Sequence, residues 1–160
     1  MLIFETHAHY DDEQFDADRA GLLSSMEKHG IGPIINVGST LHGAKRSLEL
    51  AHEYPFVYAA VGIHPSDIED FYEKRETSAE NAGPAGAFGP AEEDRPAEDP
   101  ATLSWLTSAA SDGRTVAIGE IGLDYHWEDN PPHEHQRRVC ADQIELAWQL
   151  GLPCAFHVRE

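Results

Sequence analysis

The sequence predicts an α/β fold on a parallel sheet, and three observations carry that reading. Short apolar segments rich in β-branched residues alternate with longer segments of helical spacing. The short segments are nearly continuous apolar runs, the pattern of strands covered on both faces. The polar residues able to do chemistry, His7, His9, His64, Glu120 and His157, collect toward the C-terminal ends of these segments. A (β/α)8 barrel keeps its active site at that end of its strands, but open sheets bind ligands there too, so alternation alone leaves both architectures open.

The first strand is Leu2 to Phe4, followed by a helix over 16–29 that places Leu22, Leu23 and Met26 on one face and stops at Gly30. Pro33 to Val37 is the second strand. A helix over 40–53 then aligns Leu41, Ala44, Leu48 and Ala51 and stops before Pro55. Phe56 to Gly62 is the third strand. The helix over 101–112 carries Leu103, Leu106 and Ala110 and ends at Gly113, before a fourth strand from Thr115 to Ile121. The longest helix, 131–150, opens on Asn130 as cap and Pro131 in the first turn, carries Ile144, Ala147 and Trp148, and ends at Gly151. Pro153 to His157 closes the series as the fifth strand.

Residues 77–100 break the pattern, with six Ala, four Pro, three Gly, six acids and one Arg, and Phe88 as the one large apolar side chain. That composition buries too little surface to offset the entropy of ordering it, which predicts a mobile loop insertion within a single domain over 1–160.

Charge narrows the function classes. Eleven Lys and Arg against 29 Asp and Glu give a formal charge of −18, so a broad basic footprint for nucleic acid or anionic lipid is absent. An anionic substrate must be held locally, by a few side chains or by bound cations. Cys140 and Cys154 read as reduced, mostly buried thiols, and the N-terminus has neither a basic segment nor an apolar core of a signal peptide. No apolar run approaches the roughly 20 residues that span a bilayer, and the expectation is a cytoplasmic protein.

His7 and His9 stand two apart at a strand end, so their side chains project to the same side and can reach one point. Imidazole nitrogens suit a divalent ion, but an H-x-H alone also fits a solvated strand end. Glu120 lies inside a buried strand between Gly119 and Gly122 and needs a partner, since an unpaired buried carboxylate is costly. A metal ion or a salt bridge with Arg159 would serve. His157 closes the last strand, and His64 precedes Pro65 at the end of the third, as a substrate contact, a residue behind the ligands or a turn histidine. His29, His42, His52, His133 and His135 read as surface residues.

The strings FETHAHYDD, NVGS, YAAVGIHP, VAIGEIGLDYHW and LGLPCAFHVRE, in this order, resemble the TatD family of metal-dependent hydrolases in the amidohydrolase superfamily. The resemblance runs from Leu2 to Glu160, interrupted by residues 77–100. It implies a TIM-type barrel, two divalent ions (Zn, Mn or Mg) and hydrolysis of DNA phosphodiesters at single strands or ends by a metal-activated water. On this resemblance His7 and His9 ligate the first metal, Glu120 bridges both as the catalytic carboxylate, and His157 ligates the second. His64, Tyr125, His126 and Arg159 are candidates for holding a phosphate or nucleotide. Two departures touch the site's surroundings: Glu5 stands where the family usually has Asp, and Val158 where it commonly has Asp or a small polar residue.

A barrel of this type runs to about 250 residues. Only about the first five βα units are expected here, with two unpaired sheet edges, and a further histidine ligand and an aspartate are expected after residue 160, in the missing C-terminal half of a longer chain. Two other readings stand beside the nuclease: an amidohydrolase acting on a small cyclic amide, ester or phosphoester, and a non-catalytic remnant that binds metal or a partner.

Overall fold

The computed structural model of the chain describes residues 2–71 and 99–160. Its strands β1 (Ile3–Ala8), β2 (Ile31–Gly38), β3 (Val57–Val61), β4 (Thr115–Asp124) and β5 (Cys154–Arg159) form one sheet in the order β1-β2-β3-β4-β5. Every neighbouring pair is parallel. The crossovers carry α1 (Arg19–Met26), α2 (Leu41–Glu53), α3 (Pro100–Ala110) and α4 (His133–Leu150). The result is a curled parallel half-barrel. All five predicted strands are present. β1 and β4 run further than their apolar stretches, because their C-terminal ends are polar: β1 continues through His7 and β4 through Asp124, while β3 (Val57–Val61) is shorter than the predicted 56–62.

The main core lies between sheet and helices, where Leu23, Ile34, Leu50, Val57, Ile63, Leu106, Ile118, Ile121 and Val139 are all within 1% of full burial. A smaller cluster of Val37, Ala60 and Ala117 takes alternate strand positions and therefore the other face of the sheet. At the edges, Ile3 and Phe4 of β1 are 47% and 56% exposed, and Phe156 and Val158 of β5 are 56% and 73% exposed. Two open edges are what the sequence predicts for five strands of a barrel.

Several helices differ from their predicted bounds. The 16–29 segment divides into α1 and a 3-10 turn, Glu27–His29, that ends at Gly30 with φ 76°. A chain reversal of that kind requires a left-handed residue, which glycine supplies. The loop predicted for 77–100 lies outside the described residues up to 98, and its last two residues are not loop. Asp99 caps α3 by accepting N–H bonds from Ala101 and Thr102, and Pro100 is the first helical residue. The longest helix begins at His133 rather than 131, with Asn130 instead donating its amide to the Asp124 carbonyl at 3.1 Å.

The buried face of α4 is the largest correction. Of the predicted residues Ala147 is buried, but Ile144 is 41% and Trp148 76% exposed, while Gln136 and Gln143 are fully buried with Val139. The reason is backbone chemistry at the strand ends. Gln143 accepts the Ile63 N–H at 2.8 Å and donates to the Ile63 carbonyl at 3.1 Å. Gln136 does the same for Asp124, at 2.8 and 3.0 Å. Buried main-chain groups past the end of a ladder need such partners. Cys140 and Cys154 are free, as expected, but half-buried rather than buried, and burial pushes both thiols up.

Candidate metal centre

The ends of β1, β3 and β5 bring histidines to Glu120 of β4. Its Oε2 lies 3.7 Å from His7 Nε2 and 4.0 Å from His9 Nε2, and its Oε1 lies 3.4 Å from His157 Nδ1. His7 Nε2 and His9 Nε2 are themselves 3.1 Å apart. The two carboxylate oxygens thus face two different sets of imidazoles. His7, His9 and Glu120 form one group of converging donors, and His64, Glu120 and His157 form another, each within 4.8 Å. Tetrahedral ligands at about 2.0 to 2.2 Å from an ion stand roughly 3.3 Å from each other, so both donor sets fit a zinc-like ion in spacing and chemistry. Arg159 does not neutralise Glu120; its Nη1 is 3.7 Å from Asp124 instead.

Local sequence explains the convergence. Gly122 sits opposite His157 in the β4–β5 register, at φ 142°, and a Cβ there would fall 1.9 Å from the His157 carbonyl oxygen. At Gly119 a Cβ would meet Ala155 at 2.7 Å. These glycines let β5 close on β4 and bring His157 to Glu120. On the other side, buried Asn36 of β2 accepts the Tyr10 N–H at 2.6 Å and donates to Asp11 and to Ser47, both at 2.8 Å. That fixes the main chain directly after His9. Arg19, nearly buried, holds the same loop by donating to the carbonyls of Tyr10 and Asp12.

His64 stacks edge-on against His157 with ring centres 4.3 Å apart, and its Nδ1 accepts the Ser66 N–H at 3.2 Å. Burial, then the neighbouring His157, holds His64 below its ordinary value of 6.5, against the opposing pull of Glu120 and Asp124, so its imidazole favours the neutral form. Burial also raises Asp11, in spite of its bond from Asn36. An open cleft of about 470 Å³ adjoins the group, lined by His9, Asp11, Ser39, His64, Asp67 and Glu120 among others.

Two of the sequence-derived substrate contacts have their side chains on other partners. Tyr125 stacks on His133 of α4, ring centres 3.7 Å apart, and its hydroxyl accepts from Arg137. His126 packs its edge against Trp127. Strand alternation turns Tyr125 from the face of Glu120 and Asp124, while His126 lies past the end of β4 with its N–H bonded to Asp124. Asp124 is the residue the sequence reading missed. It is 2% exposed, and its Oδ2 is 3.0 Å from His157 Nε2. A legible signal existed: 120, 122 and 124 share one strand face. Burial alone would raise the Asp124 carboxyl, but bonds from the His126 N–H and His157, with the nearby charges of His157 and Arg159, hold it low.

Comparison with known proteins places this geometry in a family. The family described as TatD related DNase matches residues 4–160. The chain is 33% identical over 159 residues to the uncharacterized metal-dependent hydrolase YabD of Bacillus subtilis, covering 99% of this chain and 51% of the relative. It is 25% identical over 158 residues to the 3'-5' ssDNA/RNA exonuclease TatD of Salmonella typhimurium, covering 99% and 50%. The crystal structure of YjjV, a TatD homolog from Escherichia coli, superposes with a TM-score of 0.73 at 28% identity, covering 99% of this chain and 51% of that one. The chain therefore spans about half the length of the relatives it matches. Family match, sequence likeness and superposition agree, and the chain belongs to the TatD related DNase family.

Proposed function

We propose that this chain contributes the metal-binding strands of a hydrolase that cleaves phosphodiesters at the ends of single-stranded nucleic acid. The observation that carries the reading is Glu120, whose two oxygens face two separate histidine groups. His7 and His9 would hold one divalent ion, His157 the other, with Glu120 common to both. When bound, such ions supply Lewis acidity that polarises a phosphoryl group and yields a nucleophilic water at neutral pH. The chain's own residues do the rest. His64, kept neutral by burial, and Ser39 line the cleft and meet the substrate phosphate. Arg159, half-exposed and paired with Asp124, can turn to an incoming anion. The formal charge of −18 implies grip at the substrate's end rather than along its backbone.

A second reading is hydrolysis of a small cyclic amide, ester or phosphoester, which needs the same metal-activated water; YabD, 33% identical, is named only as a metal-dependent hydrolase. Calorimetric titration of chelator-stripped protein with Zn²⁺ or Mn²⁺ should give two ions per chain. Cleavage of single-stranded oligonucleotides should exceed cleavage of small phosphodiesters and stop with chelator. The reverse preference selects the second reading, and ion binding without hydrolysis makes the chain a non-catalytic metal binder. A salt slope matching six or more phosphate contacts would contradict grip at the end.

A further inference from the structure

We propose that Asp124 is a positioning residue that holds the His157 imidazole by its Nε2 edge and thereby presents Nδ1 to Glu120, with Gln136 of α4 fixing Asp124 in place. The inference rests on the metal-binding reading of His157 but concerns a different residue. His157 uses both ring nitrogens: Nε2 is 3.0 Å from Asp124 Oδ2, and Nδ1 is 3.4 Å from Glu120 Oε1. An imidazole bonded on one edge has its other edge aimed, because the ring is planar and its two nitrogens diverge.

The support is itself supported. Asp124 Oδ1 accepts the His126 N–H at 3.1 Å, which closes the turn after β4. Gln136, fully buried, brackets the Asp124 main chain through both its N–H and its carbonyl, and its amide also donates to the Pro131 carbonyl at 2.8 Å. The carboxylate therefore has little freedom to follow His157 elsewhere. Arg159 is the competing partner, but its Nη1 is 3.7 Å away, beyond hydrogen-bond length, and its side chain is 46% exposed. The bond to His157 is the shorter and more enclosed of the two.

Asp124→Asn separates positioning from a purely structural role. Asparagine keeps the size and can still accept the His126 N–H, but it turns an N–H toward His157 Nε2 and so moves the ring proton to Nδ1. In metal-free wild-type protein, the ¹⁵N ring shifts of His157 should show the proton on Nε2; in Asp124→Asn they should show it on Nδ1. Titration with Zn²⁺ alone should show one of the two sites weakened about 10- to 100-fold in Asp124→Asn, with the other unchanged. Asp124→Ala should weaken the same site, and Arg159→Ala should leave it as it is. An unaltered His157 tautomer in Asp124→Asn, or the same loss in Arg159→Ala, overturns the proposal. Absence of Zn²⁺ binding by the wild type overturns the metal reading while the ring shifts still decide what Asp124 does.

Discussion

The two ends of the sheet spend their polar groups in opposite ways. At the N-terminal end, Arg114 just before β4 saturates carbonyls: Nε donates to Ala51 at 2.8 Å, and Nη2 donates to Pro55 at 2.9 Å and to Tyr54 and Val57. Its guanidinium also lies 4.4 Å over the Tyr58 ring. A cation there satisfies the exposed carbonyls at the end of α2 and opposes the negative end of its dipole. At the C-terminal end, donors face one another: His7 and His9 nitrogens meet at 3.1 Å, with Glu120 beside them. One end is closed chemistry that stabilises, the other open chemistry that can bind.

Substitutions at the two ends should therefore separate binding from stability. Glu120→Gln has the largest expected effect: affinity for both ions falls about a thousandfold, or about 4 kcal/mol at 1.4 kcal/mol per decade, with the melting temperature nearly unchanged. A calorimetric titration beside a thermal melt checks both halves of that statement. Arg114→Met should do the converse, costing about 3 kcal/mol in urea unfolding while the Zn²⁺ isotherm stays as in wild type. Should Arg114→Met weaken ion binding as well, the contrast between the ends breaks.

Asn36→Leu tests the element that spans both categories. It leaves the Tyr10 N–H, Asp11 and Ser47 short of a partner inside the protein, so about 2 kcal/mol of stability should go, together with affinity for the ion at His7 and His9. Stability loss alone would confine Asn36 to the fold. The smallest effect belongs to Asp112, whose carboxyl is held below 3.8 by the Arg114 N–H, helped by His52 at 3.0 Å and opposed by burial. Because the folded chain favours its ionised form, the stabilisation is present above pH 3.8 and is lost as pH falls through the depressed value. Asp112→Ala should thus cost under about 1 kcal/mol at neutral pH, with the difference from wild type closing in acid denaturation series.

Much of this was legible because the fold's signals are local. Apolar runs located all five strands, and the polar residues at their ends named the candidate site, since His7, His9, Glu120 and His157 each close or interrupt such a run and the fold brings them together. The departures come from groups whose partners are distant in sequence. The burial of Gln143 depends on Ile63, 80 residues earlier, which supplies two backbone bonds for its amide. Asp124 shows its purpose through His157, 33 residues on. Tyr125 and His126 were drawn to the site by adjacency, but the Tyr125 ring stacks on His133 and the His126 ring packs on Trp127.

The strand order β1-β2-β3-β4-β5 has a consequence for how the molecule comes into being. Each strand joins its immediate predecessor, so the sheet grows from one edge as the chain leaves the ribosome, with no earlier pairing undone. His7 and His9 are made first yet wait more than a hundred residues for Glu120, and longer for His157. The four side chains of the candidate centre can therefore meet only after β1, β2 and β3 have been made.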